Sequence, residues 1–291
     1  MFTVLGITGQ VGGSVATNLL AAGHDVRAVV RNAAKGSSWA AQGCDIAIAD
    51  VQDAAALELA FQGTEGVFVM MPPIFDPTPG FPEAHKTIAA LRTALLAARP
   101  PKIVCLSTIG AQVTRPNLLN QLHDMEESLA ELPLPVAFLR PGWFMENSTW
   151  DVKPARETGV IPCFLHPLDK LFPMVATKDI GQFAAQLLRE QWEDRRIVEL
   201  EGPRRVSPNE IAATFGQELG RDVRMQLVPR DEWESIFRSQ GMSNPTPRLQ
   251  MLDGFNQGWI EFEGGEAGSH KGATSIEEVI ALLVRQEAAT S

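Results

Sequence analysis

Through residues 1–140 the apolar positions alternate between two rhythms. Short apolar runs, Phe2-Thr3-Val4-Leu5 first and then residues 26–30, 45–49, 66–70, 102–106 and 135–139, read as strands. After the first of them, Val11, Val15, Leu19 and Leu20 recur at helical spacing over residues 10–22, with Gly23 as a C-terminal cap. Further helical stretches fall near 53–61 and 83–98. Strands alternating with helices imply βαβ units, and hence a parallel sheet covered on both faces. After about residue 148 prolines and longer loops separate helices near 178–190, 207–219, 230–240 and 274–286. Ser207-Pro208-Asn209-Glu210 predicts a capping box with Pro at the first helical position, and Ser275 with Glu278 predicts another. The predicted fold is α/β: a doubly wound parallel sheet over residues 1–150, to which a segment at about 175–200 returns, and a smaller, mostly helical lobe over 151–291.

Composition narrows what such a fold can do. Of 291 residues, 45% are hydrophobic and 21% charged, enough for a sizeable core and too apolar for wholesale disorder. The net charge of −10 argues against broad nucleic-acid binding, which needs basic stripes to displace counterions. No run of about 18 apolar residues predicts a membrane span, and no basic run precedes the first apolar segment as in a signal peptide. Cys44, Cys105 and Cys163 are scattered and fit no metal spacing; they read as buried thiols in a reducing compartment, so the expected location is the cytoplasm. His85, His166 and His270 show no ligand spacing, so no metal site is expected. The chain contains no tyrosine, which excludes any mechanism that needs a phenol.

The first strand runs directly into Gly6-Ile7-Thr8-Gly9-Gln10-Val11-Gly12-Gly13. Glycines at 6, 9 and 12 allow a tight turn, close approach of a pyrophosphate and close packing of helix on strand, the fingerprint of a Rossmann-type dinucleotide site. The helix that follows presents free N–H groups and a positive dipole end to the diphosphate. At the end of the second strand an acidic residue would hold the ribose 2′-OH of NAD, but here Arg31 stands there, with Lys35 within reach. A guanidinium grips a 2′-phosphate through charge-assisted hydrogen bonds worth about 1.5–3 kcal/mol each, so NADPH is expected, with NADH weaker. Asp50-Val51, after the third strand, places a carboxylate either at the adenine amino group or at the N-cap of the helix near 53. Met70-Met71-Pro72-Pro73 ends the fourth strand, and Met71, Pro72 and Pro73 either wall the middle of the cofactor or simply stop the strand.

Several segments together resemble the NmrA-like proteins, an atypical branch of the short-chain dehydrogenase/reductases. They are the glycine turn from Gly6 to Gly12, Val29-Val30-Arg31-Asn32, Ser107-Thr108-Ile109-Gly110, Leu139-Arg140-Pro141-Gly142-Trp143-Phe144-Met145-Glu146-Asn147, Lys178-Asp179-Ile180-Gly181 and Glu201-Gly202-Pro203. The resemblance covers most of residues 1–220 and is nearest to flavin-free azoreductases and quinone reductases. It implies an NADP(H)-binding fold with a cleft between the sheet and a small C-terminal lobe. Typical short-chain reductases use a Tyr-x-x-x-Lys pair, and many NmrA-like relatives retain the lysine. This chain has no tyrosine, and the place of the lysine falls at Leu122, with His123 alongside.

Hydride transfer belongs to the nicotinamide, and the protein supplies orientation and a dry pocket. Holding donor and acceptor about 3–3.5 Å apart in alignment removes about 7–11 kcal/mol of barrier. A quinone or azo bond accepts hydride readily, and the resulting anion can take its proton from solvent or a modest acid, so the missing tyrosine is tolerable. His123 is the candidate acid, or else an ordinary boundary histidine beside an apolar stripe of Leu118, Leu122, Met125, Leu129 and Leu132. Asp124, further round, is expected to meet solvent. Ser107 and Thr108, at the end of the fifth strand, either hydrogen-bond the carboxamide or acceptor or cap the chain locally. Pro141 and Gly142 begin a loop whose Trp143 and Phe144 either stack on nicotinamide or a flat substrate, or pack in the core. Phe75 lies in a proline-rich loop, 74–82, that is either a lid or a stiff connection. The expected activity is NADPH-dependent, flavin-independent reduction of a small aromatic azo compound or quinone by a monomer or homodimer. The other readings are a redox-sensing regulator that binds NADP(H) without turnover, which the absent Tyr and Lys favour, and an isomerase or reductase of a small natural product.

Overall fold

The computed structural model describes residues 1–290. In chain order the elements begin with β1 (Phe2–Val4), α1 (Gln10–Ala21), β2 (Val26–Val30), α2 (Ala33–Ala40), β3 (Asp45–Ile48), α3 (Ala54–Phe61), β4 (Gly66–Val69), α4 (Pro82–Ala98), β5 (Ile103–Leu106), α5 (Asn120–Ala130) and β6 (Val136–Pro141). They continue with β7 (Trp143–Phe144), α6 (Thr149–Glu157), β8 (Val160–Cys163), β9 (Met174–Val175), α7 (Thr177–Arg189), β10 (Arg195–Glu201), α8 (Pro208–Leu219), β11 (Arg224–Leu227), α9 (Trp233–Ser239), α10 (Thr246–Gln257), α11 (Gly265–Gly268), β12 (His270–Lys271) and α12 (Ile276–Thr290). No helix among the described residues is long and apolar enough to cross a membrane.

An eight-stranded sheet runs in the order β3-β2-β1-β4-β5-β6-β10-β12. The chain starts at β1, winds outward to β3, then returns to β4 on the other side of β1, which makes β1/β4 the switch point of a doubly wound sheet. Val4 lies opposite both Ala28 and Phe68, and Leu106 opposite Leu139, so the carboxyl ends of these parallel strands finish at similar height. β4 and β5 are apolar and buried throughout, as strands flanked by strands and covered on both faces must be. At the sheet edge β3 leaves Asp45 and Ile48 exposed.

Two compact units divide the chain. Residues 1–114, 119–140 and 180–198 form one, and residues 115–118, 141–179 and those from 199 onward form the other. In the first, Leu57 and Phe61 of α3, Leu91 and Leu95 of α4, and Met125 and Leu129 of α5 bury a common core with Val67, Val69, Ile103 and Phe138 of the sheet. Of the apolar stripe predicted around α5, Met125, Leu129 and Leu132 belong to this core and Leu122 packs against it, whereas Leu118 falls in the other unit, where its N–H donates to Pro247 O at 2.9 Å.

In the second unit the helices are accompanied by strands that periodicity did not reveal. β8 pairs with β11, and β7 with β9, each as a parallel two-stranded sheet. The capping box at Ser207 is present with both of its hydrogen bonds. That at Ser275 also closes, with Ser275 N donating to Glu278 Oε2 at 2.9 Å and Glu278 N to Ser275 Oγ at 3.3 Å.

Candidate functional site

β1 delivers the chain into the glycine turn. Gly6 stands at φ +65°, in the left-handed region, and a side chain there would meet Met70, whose Cγ is 3.0 Å from the Cβ position. Gly9 N closes the turn on Gly6 O at 2.9 Å. At Gly12 a Cβ would approach Leu5 O to 2.8 Å and press on Gly6 as well, so the helix can sit this close to the strand only without a side chain. α1 then starts at an extended Gly9 with no side-chain cap and no acidic residue in its first turn. Its leading N–H groups are therefore left to an anion or to water. Thr8, Gly9 and Gln10 are exposed around this end, while Val11 and Gly12 are buried.

Arg31 and Lys35 lie exposed just beyond β2. The Arg31 guanidinium makes no hydrogen bond or ion pair to any described residue. Arg27, four residues earlier on β2, is by contrast tied to Asp45 at 2.7 Å and to the carbonyls of Ala60 and Gln62. Asn32 caps α2 by accepting from Lys35 N, which fixes the backbone beneath both cations.

After β3, Asp50 accepts from Gln52 N at 2.9 Å, and it is Asp53 that caps α3 by accepting from Ala56 N at 3.0 Å. The reading of Asp50 as that N-cap is thus corrected: three positions later a second aspartate takes the role. Val51 and Met71 pack against the core, and Pro72 and Pro73 are exposed. Phe75 is half exposed, and the next backbone carbonyl upstream, that of Ile74, accepts from Gln121 Nε2 at 3.1 Å.

At the end of β5 the two hydroxyls differ. Ser107 is buried and donates to Glu126 Oε1. Thr108 is half buried, and its hydroxyl has no partner among the described residues. Glu126 in turn is gripped by Arg140, with Nε at 2.9 Å from Oε1 and Nη2 at 2.6 Å from Oε2. Sequence reasoning used Arg140 and Glu126 only as landmarks. A glutamate on the buried face of α5 and an arginine ending an apolar strand were the available signals. Burial, and secondarily the charge of Glu126, pushes the Cys105 thiol up.

His123 Nδ1 lies 2.7 Å from Ala111 O. A carbonyl only accepts, so Nδ1 carries hydrogen and Nε2 is left without a partner among the described residues. Asp124, expected to meet solvent, pairs with His85 Nε2 at 3.0 Å.

In the second unit, Gly142 N donates to Leu200 O and Trp143 N to Pro173 O, each at 2.9 Å. Pro141 has no N–H, so the start of this loop offers a ligand only carbonyls and apolar surface. The Trp143 ring meets Phe255 edge to face, with centroids 5.2 Å apart, and Phe144 is half buried. Glu146 accepts from Thr177 N and Thr177 Oγ1, although its burial still pushes its carboxyl up. Asp179 holds Thr274 through N and Oγ1 in the same way. These two motif residues fasten chain segments, which explains their spacing without any chemistry. Asp151, in the first turn of α6, has no hydrogen bond or ion pair among the described residues, and burial pushes its carboxyl up to about 7. Nothing in the sequence singled it out.

A family model described as the NmrA-like family matches residues 1–256. An NAD(P)H azoreductase of Xenophilus azovorans is 29% identical over 244 residues, covering 83% of this chain and 82% of the relative. Quinone oxidoreductase 2 of Escherichia coli strain K12 is 27% identical over 245 residues, covering 83% and 82%. The solved structure of the Escherichia coli NADPH-dependent quinone oxidoreductase complexed with NADPH is similar at a TM-score of 0.81 and 24% identity, covering 97% of this chain and 99% of the other. The family match takes in the glycine turn, the strand end at Arg31, the Ser107 strand end and the motif running through Arg140 to Glu146, and on that ground the chain belongs to the NmrA-like family.

Proposed function

We propose that this chain is an NADPH-dependent, flavin-independent reductase that passes a hydride to an azo compound or a quinone. One observation carries the reading: an uncapped helix N-terminus and an unpartnered Arg31 stand in the same βαβ unit. That combination suits a diphosphate and a second phosphate on one ligand. Curated relatives named for NAD(P)H azoreductase and quinone oxidoreductase activity match most of the chain, which supports oxidoreductase chemistry.

In this reading the backbone from Gly6 through Thr8, Gly9, Gln10 and Val11 to Gly12 cradles the pyrophosphate. Arg31 and Lys35 hold the 2′-phosphate, and Asp50 takes the adenine amino group. Val51, Met71, Pro72 and Pro73 form an apolar wall. Within the first unit Ser107 serves the nicotinamide end, Thr108 the nicotinamide or the acceptor, and Phe75 gives a flat acceptor aromatic surface. The bound dinucleotide supplies the hydride. A quinone takes one hydride and one proton to become a hydroquinone. An azo bond takes the same pair to become a hydrazine, and a second pair cleaves that to two amines. The proton comes from water, or from His123 through Nε2 when the ring is cationic, since Nδ1–H is spent on Ala111.

The test is to mix flavin-free protein with NADPH and follow the cofactor absorbance with a panel of azo dyes and quinones. Turnover with several acceptors supports the reductase. Tight binding without oxidation supports the second reading, a redox-sensing regulator. That alternative is favoured by the absence of tyrosine and by Leu122, which packs against the core at the family's lysine position.

A further inference from the structure

We infer that the Arg140–Glu126 pair is a positioning device that fixes Ser107 as a hydrogen-bond acceptor, so that Ser107 selects the amide N–H of the nicotinamide carboxamide. The inference rests on the NADP(H) reading above.

A serine hydroxyl has one proton and two lone pairs. At Ser107 the proton is committed, because Oγ donates to Glu126 Oε1 and the carboxylate has no proton to give back. The carboxylate cannot swing away, because Arg140 holds Oε1 and Oε2 at once. Arg140 and Glu126 are 3% and 6% exposed, so neither pair member is freed by water. What Ser107 retains is acceptor capacity alone. It sits directly after β5, the strand next to β4, outside the carboxyl end where doubly wound sheets bind ligands. An acceptor there fits a group that carries N–H and rejects one that offers only a carbonyl. Thr108, whose hydroxyl is unpartnered, keeps both roles and is left for the acceptor molecule.

The experiment measures dissociation constants of NADP⁺ and of its 3-acetylpyridine analogue, which has a methyl ketone in place of the carboxamide. The proteins are the full chain and its Ser107→Ala, Ser107→Thr and Arg140→Leu/Glu126→Leu variants, read by tryptophan fluorescence without any turnover. The parent is expected to prefer NADP⁺ by about tenfold, the worth of one ordinary hydrogen bond. Ser107→Ala should erase that preference by weakening NADP⁺ alone, Ser107→Thr should restore it, and the Arg140→Leu/Glu126→Leu double variant, which frees the Ser107 proton to meet a ketone, should lose it by tightening the analogue. Should the double variant fail to fold, Ser107→Ala decides, since it leaves the Arg140–Glu126 pair whole. A parent that binds both dinucleotides, with an unchanged ratio in Ser107→Ala, overturns the positioning role and leaves the cofactor reading standing. A parent that binds neither overturns both.

Discussion

Arg140 holds both oxygens of the Glu126 carboxylate, Nε to Oε1 at 2.9 Å and Nη2 to Oε2 at 2.6 Å, and both partners are sealed from water. The pair joins the end of β6 to the middle of α5 within one unit.

Breaking the pair from one side strands a charge in the interior. Arg140→Leu is expected to cost about 3–5 kcal/mol in urea unfolding. Adding Glu126→Leu should return most of that loss, because two apolar groups need no partner. A double variant as unstable as the single one would show that packing, and not charge, holds the two elements.

The main frame of the fold could be read from the chain because its signals are local. β1, the glycine turn and α1 announce themselves within about twenty residues, and the capping boxes at Ser207 and Ser275 within four. What escaped is what depends on distant partners. α2 carries Gly36, Ser37 and Ser38 over only eight residues, and such a segment is helical because Asn32 caps it and the sheet receives it. β7, β9 and β12 are two residues long, too short for any alternation to show. The pair at Glu126 was missed for a related reason: periodicity flags apolar residues on a buried face, and a charge there is explained only by the arginine fourteen positions later.

Arg31→Ala should weaken NADPH by about tenfold or more while leaving NADH nearly unchanged, since only the former carries the phosphate that a guanidinium can pair. Parallel titrations of the two dinucleotides check this. Equal weakening of both would assign Arg31 to some other task.

His123→Ala is expected to leave turnover with quinones and azo dyes within about tenfold of the parent, because these acceptors can draw the proton from water. A fall of about 10²–10⁴-fold would make His123 the acid. The pH–rate profile of the parent would then carry a limb that the variant lacks.

Asp151 makes stability depend on pH. Its carboxyl moves from 3.8 to about 7 on folding, because burial disfavours the charged form. Between those values the folded chain keeps a proton that the unfolded chain has released, so this contribution falls as pH rises from about 4 to 7 and then levels off. Asp151→Asn should remove that slope and be more stable than the parent above about pH 7. Urea melts at about pH 5 and about pH 8 test it; parallel behaviour of the two proteins would mean that the carboxylate is well hydrated.

Two arginines of this chain meet opposite fates. Arg140 works out of water, where dissolved ions hardly reach it, whereas Arg31 stands exposed with no partner among the described residues. At about 0.15 M ionic strength the field of an exposed charge fades within about 8 Å. Any preference that Arg31 imposes among phosphorylated molecules therefore narrows in brine and sharpens in dilute buffer, which makes ligand choice here a joint property of the chain and its medium.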